Sequence, residues 1–148
     1  MHLSQNHRAK RSARLFDAYG DNLLAMADTL TGTRSRADRL VVDTIAGQGR
    51  RRSAWARRRH ERHDMSGSLH GRWLSTHAPR GPRHSDDTSI RSRLHDLTDL
   101  QLGLVALCLF GGYTYVRAGH LLSLTPAESA GHLRDALMAV GGLVGPFD

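Results

Sequence analysis

Residues 112–137 read GYTYVRAGHLLSLTPAESAGHLRDAL, and this stretch decides the fold. A short helical segment is predicted over 113–122, and Ser123-Leu124 fits a tight turn. The tetrapeptide 125–128, Thr-Pro-Ala-Glu, is typical of a helix start, with Thr as the N-cap, Pro at the first helical position and Glu reaching back. The stretch therefore predicts two helices joined at a sharp corner, a helix-turn-helix, in which Gly119 permits a close approach of the helices.

The segment before this corner is predicted to be a core helix. Its apolar residues share one helical face, and Gly111-Gly112 ends it because glycine accepts left-handed backbone angles. The longest apolar run, 100–110, is much shorter than the ~20 residues that span a bilayer, so no membrane partner is expected. Cys108 is the single cysteine, which excludes a disulfide and favours a reducing, cytoplasmic compartment.

The N-terminal part of the chain also has a helical pattern. Apolar residues at three- and four-residue spacing over 15–30 predict an amphipathic helix, which Thr31-Gly32-Thr33 ends. Ser35 and Asp38 fit the first cap of a second helix with an apolar inner face over 40–45.

Composition and charge narrow the class of protein. Aromatic residues make up only 5% of the chain, so the core is built mostly from Leu, Ala and Val and is predicted to be all-α. Residues 1–65 carry 14 cations and 7 acids, whereas 66–148 carry 7 of each. The excess positive charge of the N-terminal half favours a polyanionic partner.

The middle of the chain is predicted to be a flexible linker. Residues 65–90 are rich in Ser, Gly, His and Arg and include Pro79 and Pro82. Burial of such side chains does not offset the conformational entropy that the chain loses on folding. We therefore predict an N-terminal helical domain over 8–64 with an Arg-rich extension, the linker over 65–90, and a C-terminal helix-turn-helix domain over 91–144.

Catalytic and metal-binding patterns are not found. His70, His77 and His84 recur every seven residues, but a Ser/Gly/Pro linker offers no organised ligand set. There is no Ser/His/Asp or Cys/His arrangement, phosphate-binding loop or cofactor fingerprint. No enzyme activity, metal, cofactor or small-molecule substrate is expected.

The corner resembles the promoter-reading fourth region of bacterial sigma factors of the extracytoplasmic-function type. That family usually reads Gly-Leu-Ser-Tyr-Glu-Glu-Ile-Ala-Glu-Leu-Leu-Gly-Leu-Ser-Pro, and residues 112–126 are similar to it. Leu133-Arg-Asp-Ala-Leu137 is similar to the family's Leu-His-Arg-Ala-Leu that follows.

The N-terminal block resembles the second region of the same family, which grips RNA polymerase. The resemblance lies in Phe16-Asp-Ala-Tyr19 and in residues 37–45, Ala-Asp-Arg-Leu-Val-Val-Asp-Thr-Ile. It implies that core RNA polymerase is contacted by Asp38, Leu40, Val41 and Asp43.

The Arg-rich segment after this block is expected to contact DNA phosphates, with an aromatic side chain available to stack on a base. The alternative interpretation is a solvated basic segment without a partner. The expected DNA-binding residues of this segment are Arg50, Arg51, Arg52, Trp55, Arg57, Arg58 and Arg59. In the corner, the residues expected to lie nearest the major groove of DNA are Thr125, His132 and Arg134.

The sequence thus predicts a divergent sigma-factor-like transcription protein that binds core RNA polymerase and contacts promoter DNA. The alternative is a regulatory module that keeps the sigma scaffold, has lost promoter reading, and binds another protein such as a sigma or anti-sigma factor. Glu128 and Asp135 in the second helix of the corner favour this alternative because they would repel phosphates.

Overall fold

The computed structural model describes residues 2–50, 61–76 and 90–141, which form helices joined by turns and contain no strand. The predicted all-α fold class is therefore confirmed for this part of the chain. The helices are α1 (His2–Thr31), α2 (Arg34–Arg50), α3 (Glu61–Thr76), α4 (Ile90–Asp96), α5 (Asp99–Leu109), α6 (Tyr115–Leu121) and α7 (Pro126–Gly141). Among them, no helix is both long and apolar enough to cross a bilayer.

Helices α1 and α2 form a hairpin around the predicted break. Gly32 has a φ of +74°, in the left-handed region that favours glycine, and its N–H donates to the Asp28 carbonyl at 2.8 Å. The predicted cap at Ser35 is wrong, because α2 begins one residue earlier, at Arg34. Asp38 pairs with Arg34 one turn away, at 3.2 Å between Nε and Oδ1.

Helix α3 overturns half of the predicted linker. Residues 65–76 are helical, and Met65, Leu69 and Trp73 are buried. These three large apolar side chains are spaced four residues apart and so form one stripe, whose burial outweighs the weak helix preference of the surrounding Ser and Gly. Residues 77–89 of the predicted linker lie outside the described residues, and the predicted domain limits stay predictions.

Helix α5 lies at the centre of the described structure and packs against α1, α3, α6 and α7. Its N-terminus has a full capping box, in which Thr98 Oγ1 accepts from the Gln101 N–H at 3.2 Å and Gln101 Oε1 accepts from the Thr98 N–H at 3.3 Å. Leu102, Leu104 and Leu107 are all fully buried although they point in different directions, as expected of a helix covered on all sides.

Two contacts, each between a histidine ring and a glycine, help join the helices of the predicted N- and C-terminal domains. His70 of α3 lies against Gly103 of α5, and the His95 ring of α4 occupies the space where Gly32 lacks a side chain. The buried apolar residues of α1, α2, α3, α5, α6 and α7 consequently belong to one hydrophobic cluster.

The predicted end of the core helix is confirmed. Helix α5 stops at Leu109, and Gly112 has a φ of +75°. A side chain on Gly111 would place its Cβ 2.7 Å from the Leu107 carbonyl oxygen, so a larger residue does not fit there. Gly112 is required for a different reason, because its positive φ favours glycine. The glycine pair turns the chain directly into the corner.

Candidate functional site

The candidate site is the corner formed by α6, the turn over 122–125, and α7. Each helix begins with a capping threonine. Thr114 Oγ1 accepts from the Arg117 N–H at 3.2 Å, and Thr125 Oγ1 accepts from the Glu128 N–H at 3.2 Å. Glu128 Oε2 in turn accepts from the Thr125 N–H at 3.1 Å, which confirms the predicted start of α7.

The two helices approach each other most closely at Gly119 and Ser129. A Cβ on Gly119 would lie 2.6 Å from Ser129 Cβ, far inside van der Waals contact. Ser129 is buried, and its hydroxyl donates to the Tyr115 carbonyl at 2.6 Å. The predicted role of Gly119 is confirmed, and Ser129 fixes the crossing by a hydrogen bond between the helices.

The turn itself is tight and slightly strained. Ser123 has a φ of 60°, where side chains other than glycine are uncommon. The Leu124 N–H donates back to the Gly119 carbonyl at 2.7 Å, which closes the turn. Together with the buried Ala118 and Ala136, these bonds hold α7 in one orientation on α6.

The outer surface of α7 presents few of the groups that DNA binding requires. Of the predicted contacts, Thr125 is exposed with its hydroxyl engaged in the cap, His132 is half-buried and Arg134 is exposed. Glu128 and Asp135 are exposed as well. Residues 112–137 carry two arginines and two acids, so the corner has no net positive charge at neutral pH.

Large apolar side chains occupy much of the remaining surface of the corner. Five of them are between 44% and 62% exposed: Tyr115, Val116, Leu121, Leu137 and Met138. Such residues are typical anchors of protein interfaces when they lie together on one surface.

The predicted polymerase-binding residues separate into two groups. Asp38 and Asp43 are exposed on α2, where Asp38 is paired with Arg34. Leu40 and Val41 are buried in the core, so their predicted contact with a partner is corrected: on this helix they face inward with Ile45. Val42, 60% exposed, is the apolar side chain of this segment that faces outward.

The predicted DNA contacts of the Arg-rich segment cannot be placed on the fold. Arg51, Arg52, Trp55, Arg57, Arg58 and Arg59 lie outside the described residues, as does the side chain of Arg50.

Sequence reasoning missed one chemically unusual group, His70. Its side chain is buried between α3 and α5, its ring centroid lies 5.8 Å from that of Trp73, and its Nε2 has no hydrogen-bond partner within the described part of the chain. Burial lowers the pKa of His70 to about 4. The four-residue spacing of Met65, Leu69 and Trp73 was the signal that places His70 on a helix.

The described side chains form no group of three or more His, Cys, Asp or Glu that could hold a metal ion. Cys108 is half-buried in α5, and burial raises the pKa of its thiol, which disfavours the reactive thiolate. Comparison of the chain with protein-family models, curated proteins and solved structures finds no match.

Proposed function

We propose that this chain is a divergent sigma-factor-like transcription protein, which binds core RNA polymerase through α2 and reaches DNA through the corner and the Arg-rich segment. The observation that carries the proposal is the corner itself. A capped second helix is held at a fixed angle by the contact of Gly119 with Ser129, and its first turn is exposed. Helix pairs that read the major groove present their second helix in this way.

The backbone angle of the turn supports the same resemblance. Ser123 has a positive φ and occupies the position at which the sigma-factor pattern has glycine. The angle agrees with the resemblance, and many other helices also end with a left-handed residue just after the C-cap.

The polymerase-binding surface in this proposal is the outward face of α2. It consists of Asp38, Arg39, Val42 and Asp43, which are all exposed. One apolar side chain flanked by charges suits a partner surface that offers a small apolar contact and complementary charges. This face replaces the buried Leu40 and Val41 as the contact.

A pull-down with purified core RNA polymerase tests this surface. We expect Asp43→Lys to weaken retention by about tenfold or more, or roughly 1.4 kcal/mol, because it reverses a charge at the interface. Asp17→Lys on α1 makes the same change at another exposed aspartate and serves as the matched control. The proposal is contradicted if purified polymerase does not retain the wild-type chain at low or moderate salt.

A second candidate function is a regulatory protein-interaction module. The corner has balanced charge and several exposed apolar side chains, Leu137 and Met138 among them, which favours a protein partner such as a sigma or anti-sigma factor over DNA. A shift assay with promoter and random duplexes separates the two candidates. Preference for promoter DNA supports initiation, whereas absence of any DNA binding supports the module.

A further inference from the structure

The first part of α1 extends beyond the hydrophobic core. From residue 4 onward, where the side chains of α1 are described, the buried ones begin at Leu15, and none of residues 4–14 is buried. We call these eleven residues the N-terminal arm. At 1.5 Å per residue, the arm is about 16 Å long, and its residues are exposed except Arg11 and Ser12, which are half-buried.

The arm is strongly basic along its whole length. It carries Arg8, Lys10, Arg11 and Arg14, and the first acid of the chain is Asp17. At about 100° of rotation per residue, Lys10, Arg11 and Arg14 fall within an arc of about 100°. The cations therefore form a stripe along one side of the arm, and Arg8 widens it.

Arg8 and Lys10 are exposed, and a stripe of cations along one side of a helix attracts a polyanion.

The composition of the arm selects the class of anion. Its only apolar residues are Ala9 and Ala13. A helix that lies in a membrane surface needs large apolar side chains to insert, and a protein interface needs aromatic or aliphatic anchors. A row of cations without anchors suits a repeating phosphate backbone, which is bound through release of counterions.

We propose that the N-terminal arm binds the phosphodiester backbone of nucleic acid without reading its sequence. The exposed Arg8 and Lys10 are the main contacts, and Arg11 and Arg14, which also have interactions within the chain, extend the stripe. The site is separate from the corner and from the outward face of α2, so it does not rest on the proposed function. In a protein whose corner has no net positive charge, the arm supplies nucleic-acid affinity that the corner lacks.

The test compares two full-length variants that each lose two exposed cations. R8Q/K10Q changes the arm, and R36Q/R72Q removes one exposed cation each from α2 and α3 as the matched control. Fluorescence anisotropy follows binding to a labelled random duplex DNA and to a single-stranded RNA between about 50 and 200 mM salt. Circular dichroism verifies that helix content is unchanged. The Arg-rich segment is intact in both variants, so their difference isolates the arm.

We expect R8Q/K10Q to lower the slope of log affinity against log salt by about one for each cation, or about two in all. R36Q/R72Q should retain the wild-type slope. An effect on the duplex alone assigns the arm to DNA, and an effect on both ligands assigns it to phosphodiester backbones in general.

Three results would overturn the proposal. The first is a wild-type chain that binds neither nucleic acid. The second is a change in the salt slope that is equal in both variants, which would mean that the position of the cations on the fold is irrelevant. The third is binding to anionic vesicles that R8Q/K10Q abolishes while nucleic-acid binding is unchanged. Failure of the chain to bind polymerase would remove the proposed function and leave the effect of the arm intact.

Discussion

His70 of α3 and Gly103 of α5 are packed so closely that a methyl group on Gly103 would come within 2.7 Å of His70 Nε2. The contact joins a helix of the N-terminal half to the central helix, and the histidine ring is almost fully shielded from solvent. Both the size of residue 103 and the charge of residue 70 should therefore control how firmly α3 is held on α5.

Gly103→Ala is expected to destabilise the fold by about 1–3 kcal/mol, because the added methyl group overfills this contact. Urea unfolding followed by circular dichroism measures the change. Gly131→Ala is the matched control, since a Cβ at that helical glycine meets nothing within 4 Å. It should stabilise α7 by up to about 1 kcal/mol through helix preference. Equal effects of the two substitutions would contradict the described packing.

Stability should fall in mild acid because of His70. Its pKa in the folded chain is about 4, below the ordinary value of 6.5, so the unfolded chain takes up the proton first as the pH falls. The contribution is complete above about pH 6.5 and is lost between 6.5 and 4, so that about 2 kcal/mol of stability has been lost at about pH 5.

Unfolding free energies of the wild type and of His70→Leu, measured at neutral and mildly acidic pH, check this prediction. Leu cannot take up a proton, so the variant should lose less stability on acidification. The other histidines titrate in both proteins, and their effect cancels in the difference. The same pH dependence in wild type and variant would show that His70 is not buried as described.

The corner should not tolerate a larger residue at Gly119. Gly119→Ala forces the new methyl group against Ser129, and a loss of about 1–3 kcal/mol is expected. Ser129→Ala removes only the hydrogen bond to the Tyr115 carbonyl and should cost about 1 kcal/mol. Thermal melts of both variants give the ranking. A larger loss in Ser129→Ala than in Gly119→Ala would contradict the close approach.

Substitutions at Ser123 should separate backbone strain from side-chain effects. Ser123→Gly relieves the positive φ and is expected to raise stability by up to about 1 kcal/mol, whereas Ser123→Val, with its branched Cβ, should lower it by about as much. Side-chain volume at this exposed turn is otherwise unimportant. A melting temperature that is unchanged in both variants would mean that the turn is not left-handed.

The sequence predicted the C-terminal half in more detail than the N-terminal half, for local reasons. The start of α7, the glycine pair after α5 and the role of Gly119 depend on caps, backbone angles and close contacts that single residue types reveal. Those signals act within a few residues of chain, so composition elsewhere does not obscure them.

The errors arose where tertiary packing decides. Helix α3 lies in a segment whose composition resembles a linker, and only the stripe from Met65 to Trp73 reveals its buried face. Leu40 and Val41 match a family surface in sequence but are buried here. The role of His70 depends on Gly103 of another helix, a pairing that no local pattern contains.

Competition with a sigma factor tests most directly the proposal that this chain occupies the place of such a subunit on core RNA polymerase. A labelled sigma factor of the extracytoplasmic-function type is bound to purified core polymerase, and the unlabelled chain is titrated against it. We predict that the chain displaces the labelled subunit and that Asp43→Lys weakens this displacement by about tenfold. A labelled sigma factor that remains bound at every concentration of the chain would contradict the proposal.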